Sequence, residues 1–183
     1  MNRTHLSLPF LLLLAGCAQL QESVRNPDSL FFRPPVGSLV ELHQDLPVPP
    51  QRTRIFIQSG EILYSGGLNT FYPSCNFEVR SLATDGQVIK AGRFIVEQVR
   101  QGSESVVQAQ PQRLAALQFS GFGFFSDAPS IMRYFHFKLH SELQPQVMRL
   151  TCRGALDDAP QADFPTWPEI QQALGGVAGF ILP

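Results

Sequence analysis

Ser130-Ile131-Met132-Arg133-Tyr134-Phe135-His136-Phe137-Lys138-Leu139-His140 is the stretch whose reading decides the fold. Its residues alternate. Ile131, Phe135, Phe137 and Leu139 fall on one side, interrupted by Arg133, and Met132, Tyr134, His136, Lys138 and His140 on the other. A period of two belongs to a β-strand, with one face for a core and the other for water or a partner. The same period predicts strands near Leu39–His43, Arg54–Gln58, Cys75–Leu82, Arg93–Arg100, Ser105–Ala109, Leu114–Phe119 and Val147–Arg153. Turn residues separate them, among them Pro47 to Pro50, Gly66-Gly67, Asp85-Gly86 and Gln144-Pro145. Short strands with frequent turns indicate a mainly β domain, an antiparallel sandwich or partly open barrel.

The period changes only near the C-terminus. Thr166-Trp167-Pro168-Glu169 has capping-box spacing, with Ile170, Ala173 and Leu174 on one side and Gly175-Gly176 as the stop. One short C-terminal helix is expected, followed by an apolar return, Val177 to Leu182, onto the sheet.

Formal net charge is −1, with no basic block, so nucleic acid is not an expected partner. The segment Phe119-Ser120-Gly121-Phe122-Gly123-Phe124-Phe125 is the most unusual local feature. Its glycines permit tight bends. Phe119, Phe122, Phe124 and Phe125 are therefore candidate contacts for a partner or ligand, although the same rings could fill a core.

No Gly-x-Ser-x-Gly, Ser-x-x-Lys or phosphate loop occurs. His136 and His140 would lie roughly 13 Å apart on a strand, too far to share one ion. No catalytic residue, metal site or cofactor is expected.

Near the start, Arg3 precedes an apolar run from Leu6 to Leu14, then Ala15-Gly16-Cys17. A basic end, a short apolar core and small residues before a cut site make a secretory signal, too short for a permanent span. Leu14-Ala15-Gly16-Cys17 resembles the lipobox of bacterial lipoproteins. The resemblance implies cleavage before Cys17 and a lipidated Cys17 at the mature N-terminus; no later run reaches membrane-spanning length, so the lipid is the expected membrane attachment. Ala18 in the next position leans towards the outer membrane in such lipoproteins. The division expected is a signal peptide over 1–16, a lipidated Cys and tether over 17–35, and one periplasmic β domain over 36–183. Leu30-Phe31-Phe32 is set apart as an apolar triplet able to dock on the domain.

Removing the signal leaves roughly 165 residues, enough for one real core. It also leaves Cys75 and Cys152 in an oxidising compartment, where such a pair becomes a disulfide. Cys75 shares a strand face with Phe77 and Val79, and Cys152 shares one with Met148 and Leu150, so both thiols should point to the apolar side.

The domain also resembles a family of small uncharacterised proteobacterial envelope lipoproteins. The residues that carry this are Leu42 to Pro50, Arg54-Ile55-Phe56-Ile57-Gln58-Ser59-Gly60, Tyr72-Pro73-Ser74-Cys75-Asn76-Phe77-Glu78, Gly92-Arg93-Phe94 and Glu169 to Gly176. The resemblance implies a compact β domain held by a Cys75–Cys152 bridge and supplies no catalytic residue. The functional expectation is a non-catalytic outer-membrane lipoprotein that binds an envelope component or supports an assembly. The alternatives are a small barrel carrying an apolar ligand and, third, an envelope hydrolase.

Overall fold

A computed structural model describes residues 24–64, 66–105 and 129–183. The chain forms a curled antiparallel sheet, a half-barrel, with a short C-terminal helix. Its strands are β1 (Leu39–Leu42), β2 (Leu46–Val48), β3 (Arg54–Gln58), β4 (Glu61–Leu63), β5 (Ser74–Val79), β6 (Gln87–Ile89), β7 (Gly92–Ser105), β8 (Ser130–His140), β9 (Val147–Arg153), β10 (Asp157–Asp158) and β11 (Ala178–Ile181). The main sheet runs β11-β1-β7-β8-β9-β5-β3-β4, with β10 on the end of β8; β2 and β6 make a separate ribbon.

The central strands lie where the sequence puts them. Arg54–Gln58, Ser130–His140 and Val147–Arg153 match residue for residue. The return after the helix becomes β11, an edge strand on β1. Leu114–Phe119 and most of Ser105–Ala109 lie outside the described residues.

Phe135, Phe137 and Leu139 of β8 are buried, as the alternation requires. They join Phe77, Leu150, Ile55, Phe94 and Val40 from neighbouring strands in one core. The helix α1 (Trp167–Leu174) lies over this face, burying Trp167, Ile170, Ala173 and Leu174. It is the only helix of seven or more residues among those described. Glu169 accepts hydrogen bonds from the backbone N–H and the hydroxyl of Thr166, at 2.7 and 2.8 Å. One carboxylate thus ties the N-cap down and sits at the positive end of the helix.

Phe32 docks as the Leu30–Phe32 triplet suggested. Its ring meets Trp167 edge to face at 5.2 Å, and the Trp167 backbone N–H donates to the Leu30 carbonyl. Leu30 and Phe31 stay exposed.

Two expectations from the alternation need correcting. Met148 does not share a face with Leu150 and Cys152. Glu78 pairs with Arg149 but Val79 pairs with Val147, so Met148 is the extra residue of a β-bulge. A bulge reverses the parity of a strand. Val147 therefore enters the core, and Met148 lies on the opposite face. Nor is the second face of β8 simply solvated: Met132 is buried there, while Ile131, placed on the core face, is only half-buried.

Cys75 and Cys152 are direct cross-strand partners on β5 and β9, both buried, with their sulfurs 2.08 Å apart, at disulfide distance. On the chain-entropy model, a bond across 77 residues of separation contributes about 4 kcal/mol. Thiol labelling of denatured, unreduced protein should find neither Cys75 nor Cys152 free; labelling of both in good yield would show that no bond forms.

The helix ends against a turn. Gly175 has φ +52, and a Cβ there would collide with the backbone of Gly60; Gly176 has open space. Gly175→Ala should cost about 3 kcal/mol in urea unfolding. Gly176→Ala should stay within about 0.5 kcal/mol.

Candidate functional site

The face of the sheet opposite the core is ordered in cross-strand rows. One reads Arg100–His136–Thr151–Asn76–Phe56 across β7, β8, β9, β5 and β3. The next reads Gln98–Lys138–Arg149–Glu78–Arg54. A third reads Gly102–Tyr134–Arg153–Ser74. Sheet partners directly opposite stand about 5 Å apart, so each row is a ladder of interacting side chains.

Charges on this face are paired where they are buried. Glu78 accepts from Arg149 at 2.8 Å and faces Arg54 at 3.2 Å. Burial pushes its carboxyl up, but the Arg149 hydrogen bond and the charges of Arg54 and Arg149 outweigh this and hold it below the usual range. Arg153 donates to Glu104 through Nε at 2.8 Å and Nη2 at 3.4 Å, and to Asn76 Oδ1 through Nη1. Asn76 Nδ2 and Thr151 Oγ1, neighbours in the first row, are buried without a hydrogen-bond partner among the described residues.

Above β7, β8 and β9 the face opens into a groove of about 330 Å³, lined by Arg80, Gln98, Arg100, His136, Lys138 and Arg149, with Met148 at its side. Two bulges shape it. Met148 is the extra residue of β9, and on β7 the register slips between Val96 and Gln98, leaving Glu97 unpaired in the ladder. Both slips flank the row that holds Lys138. Bulges bend a strand and re-aim its side chains. Here they turn Glu97 onto Lys138, at 2.8 Å, and Met148 into the groove wall.

Among the described residues the groove is lined by four cations and no carboxylate. Two of these cations have acidic partners, Lys138 with Glu97 and Arg149 with Glu78. Arg80 donates to the Pro145 carbonyl at 2.9 Å, and Arg100 makes no ion pair among the described residues. A surplus of two positive charges remains. His136 adds none near neutral pH, because burial first, then the charges of Arg149 and Arg153, push its pKa down to about 4 against the opposing pull of Glu78 and Glu104. Its ring stacks on Tyr134, 4.0 Å between centroids.

The candidates that the sequence pattern singled out stand elsewhere. Cys75 and Cys152 lie together on the apolar face, away from the groove. Cys17, Phe119, Phe122, Phe124 and Phe125 lie outside the described residues. The aromatic side chains pack on one another, Phe137 on Phe180 at 5.0 Å, Phe180 on Trp167 at 5.6 Å and Phe135 on Phe164 at 5.1 Å, and Phe31, Phe32, Phe135 and Phe164 line a cavity of about 180 Å³ at the edge of this cluster. No described group of three or more His, Cys, Asp or Glu side chains gathers as metal ligands. The groove was missed in the sequence because its cations come from three separate strands and the turn after β5. The one local signal was the polar side of Ser130–His140.

No family model matches the chain, and neither does any curated protein or solved structure.

An unfolded histidine takes up its proton near pH 6.5, whereas folded His136 stays neutral down to about 4. Between these values the unfolded state holds more protons, so His136 lowers stability as pH falls through that window. Urea unfolding at about pH 7.5 and about pH 5 should show a smaller loss for His136→Gln than for wild type. Equal losses would place the proton uptake elsewhere.

Proposed function

We propose that this protein is a non-catalytic, outer-membrane-anchored lipoprotein whose β domain binds an envelope component. The cationic groove over β7, β8 and β9 carries the reading. It is concave, its walls stand on the middle strands of the sheet, and among the described residues its four cations are set against two carboxylates, Glu97 and Glu78. Such a site attracts and orients an anionic ligand without bond-making chemistry.

Two further observations support it. The Leu14-Ala15-Gly16-Cys17 ending supplies the anchor, since a diacylated or triacylated N-terminus holds a membrane firmly where one chain does not. The cysteine pair at disulfide distance suits an oxidising compartment. It also leaves neither sulfur as a nucleophile once bonded, which argues against a thiol hydrolase. His136 is flanked by Arg149 and Arg153, and among the described residues no carboxylate hydrogen-bonds to it, although the charges of Glu78 and Glu104 reach it, so the described residues give it no partner that would make it an activated base. The apolar-carrier reading is left with the Phe-lined cavity of about 180 Å³ beside Phe31 and Phe32, smaller than the cationic groove.

Intact-mass analysis of protein extracted from the envelope should give a chain beginning at Cys17 and carrying acyl groups, in the outer-membrane fraction. A chain retaining residues 1–16, or an unmodified Cys17, would overturn the anchor. Turnover of peptidoglycan or phospholipid by the purified protein would overturn the non-catalytic assignment.

A further inference from the structure

Four cations converge on one groove, and among the described residues only Lys138 and Arg149 stand within ion-pair distance of a carboxylate. Neither carboxylate belongs to the lining, and no other carboxylate lines the groove among the described residues. Arg80 and Arg100 face it from opposite sides of the row, the first after β5 and the second on β7. A surplus of two charges is balanced by one dianion, or by a monoanion only in part. Guanidinium forks suit oxyanions held by two parallel hydrogen bonds, and an ammonium adds a point charge beside them. Gln98 and neutral His136 supply uncharged polar groups on the same wall. The concavity, about 330 Å³, takes a phosphate with a small polar substituent.

We infer that the groove is a phosphoryl-binding site in which Arg100, Arg80, Lys138 and Arg149 hold a phosphate group carried by the ligand. This rests on the binding-module reading above and names its ligand class. Arg149 plays two parts: it ties Glu78 under the sheet face and presents its remaining N–H groups to the groove. Arg100 is exposed and structurally uncommitted among the described residues, so its charge is the one that a ligand recruits. The phosphate can belong to a lipid headgroup or be free in solution; the recognition chemistry is the same.

The test uses the purified full chain near neutral pH, in chloride buffer of constant ionic strength. Inorganic phosphate and glycerol 3-phosphate are titrated separately, by calorimetry and by the shifts of arginine side-chain nitrogens. Saturable binding with one site is expected. Arg100→Gln and Lys138→Gln should each weaken it about tenfold, the loss of one hydrogen bond to a charged group. Arg52→Gln, an exposed cation on the turn before β3, should bind as wild type does. Tighter binding of glycerol 3-phosphate supports the inference with a headgroup as the source; equal or tighter binding of inorganic phosphate supports it with a free phosphate. Absence of saturable binding to both, or binding unchanged in Arg100→Gln and Lys138→Gln, overturns it. Arg100 and Lys138 are exposed, so the folded yield of both variants should match wild type. The outcomes separate cleanly from the anchor reading. A lipidated, outer-membrane protein with no affinity for either phosphate sinks the ligand class alone. A phosphate-binding chain that keeps residues 1–16 sinks the anchor alone.

Discussion

The pairing of β5 with β9 is the constraint on which the rest depends. Cys75 stands opposite Cys152, Phe77 opposite Leu150, Asn76 opposite Thr151 and Glu78 opposite Arg149. A slip of one residue would turn the sulfurs and Phe77 outward and bring Glu78 and Asn76 into the apolar core. Burying those groups without partners costs several kcal/mol. The register is thus enforced from both faces at once, by apolar contact on one and by ion pairing on the other. β5 is buried along its whole length, so Glu78 and Asn76 Oδ1 find their partners on Arg149 and Arg153 of β9. Glu78 and Arg153 carry their partners with them; Asn76 Nδ2 and Thr151 Oγ1 are the polar atoms of this strand pair left over.

From that pair the sheet extends in two directions with different consequences. Towards β3 and β4 the half-barrel meets α1, whose C-terminus reaches the β3–β4 turn through the contact of Gly175 with Gly60. Gly60 N–H donates to the Ala173 carbonyl, and His43 N–H donates to the Val177 carbonyl, so the helix bridges the space between the two ends of the sheet. Towards β8 and β7 the sheet keeps its core face intact but bulges twice on the other. Each bulge removes one residue from the ladder and costs a little pairing. What is gained is shape: the two slips lie on either side of Lys138 and make the face concave at the place where the cations gather.

Much of this was legible in the sequence because alternation is a local signal. Ser130–His140 shows its period without reference to any other strand, and Thr166 to Glu169 shows its cap in four residues. The Cys75–Cys152 contact was legible by a different route, from two apolar faces and a compartment. Short elements were not. β2, β4 and β6 have three residues each, too few for a period, and Pro47 read as punctuation where it is a strand residue. Met148 was misplaced because alternation carries parity forward without error only until a bulge, and nothing in Val147-Met148-Arg149 marks one. The groove was illegible for a further reason. Arg80, Arg100, Lys138 and Arg149 are scattered over seventy positions, and only register brings them together.

Local composition is therefore a poor guide to where charge accumulates in a sheet protein. The chain as a whole is almost neutral and has no basic block, which is why nucleic acid was not an expected partner. Yet pairing distributes the acids unevenly. Glu78 and Glu104 pair on the face with Arg149 and Arg153, Glu41 serves Arg93 at the far side of β7, and Asp45 serves Lys90 near the ribbon. Every carboxylate spent on structure elsewhere leaves the groove with its own cations less compensated. Near-neutral net charge and a strongly positive site are compatible because folding sorts charges by partner. His136 completes the sorting: burial beside two arginines keeps it neutral near neutral pH, so the positive charge lining the groove comes from arginine and lysine.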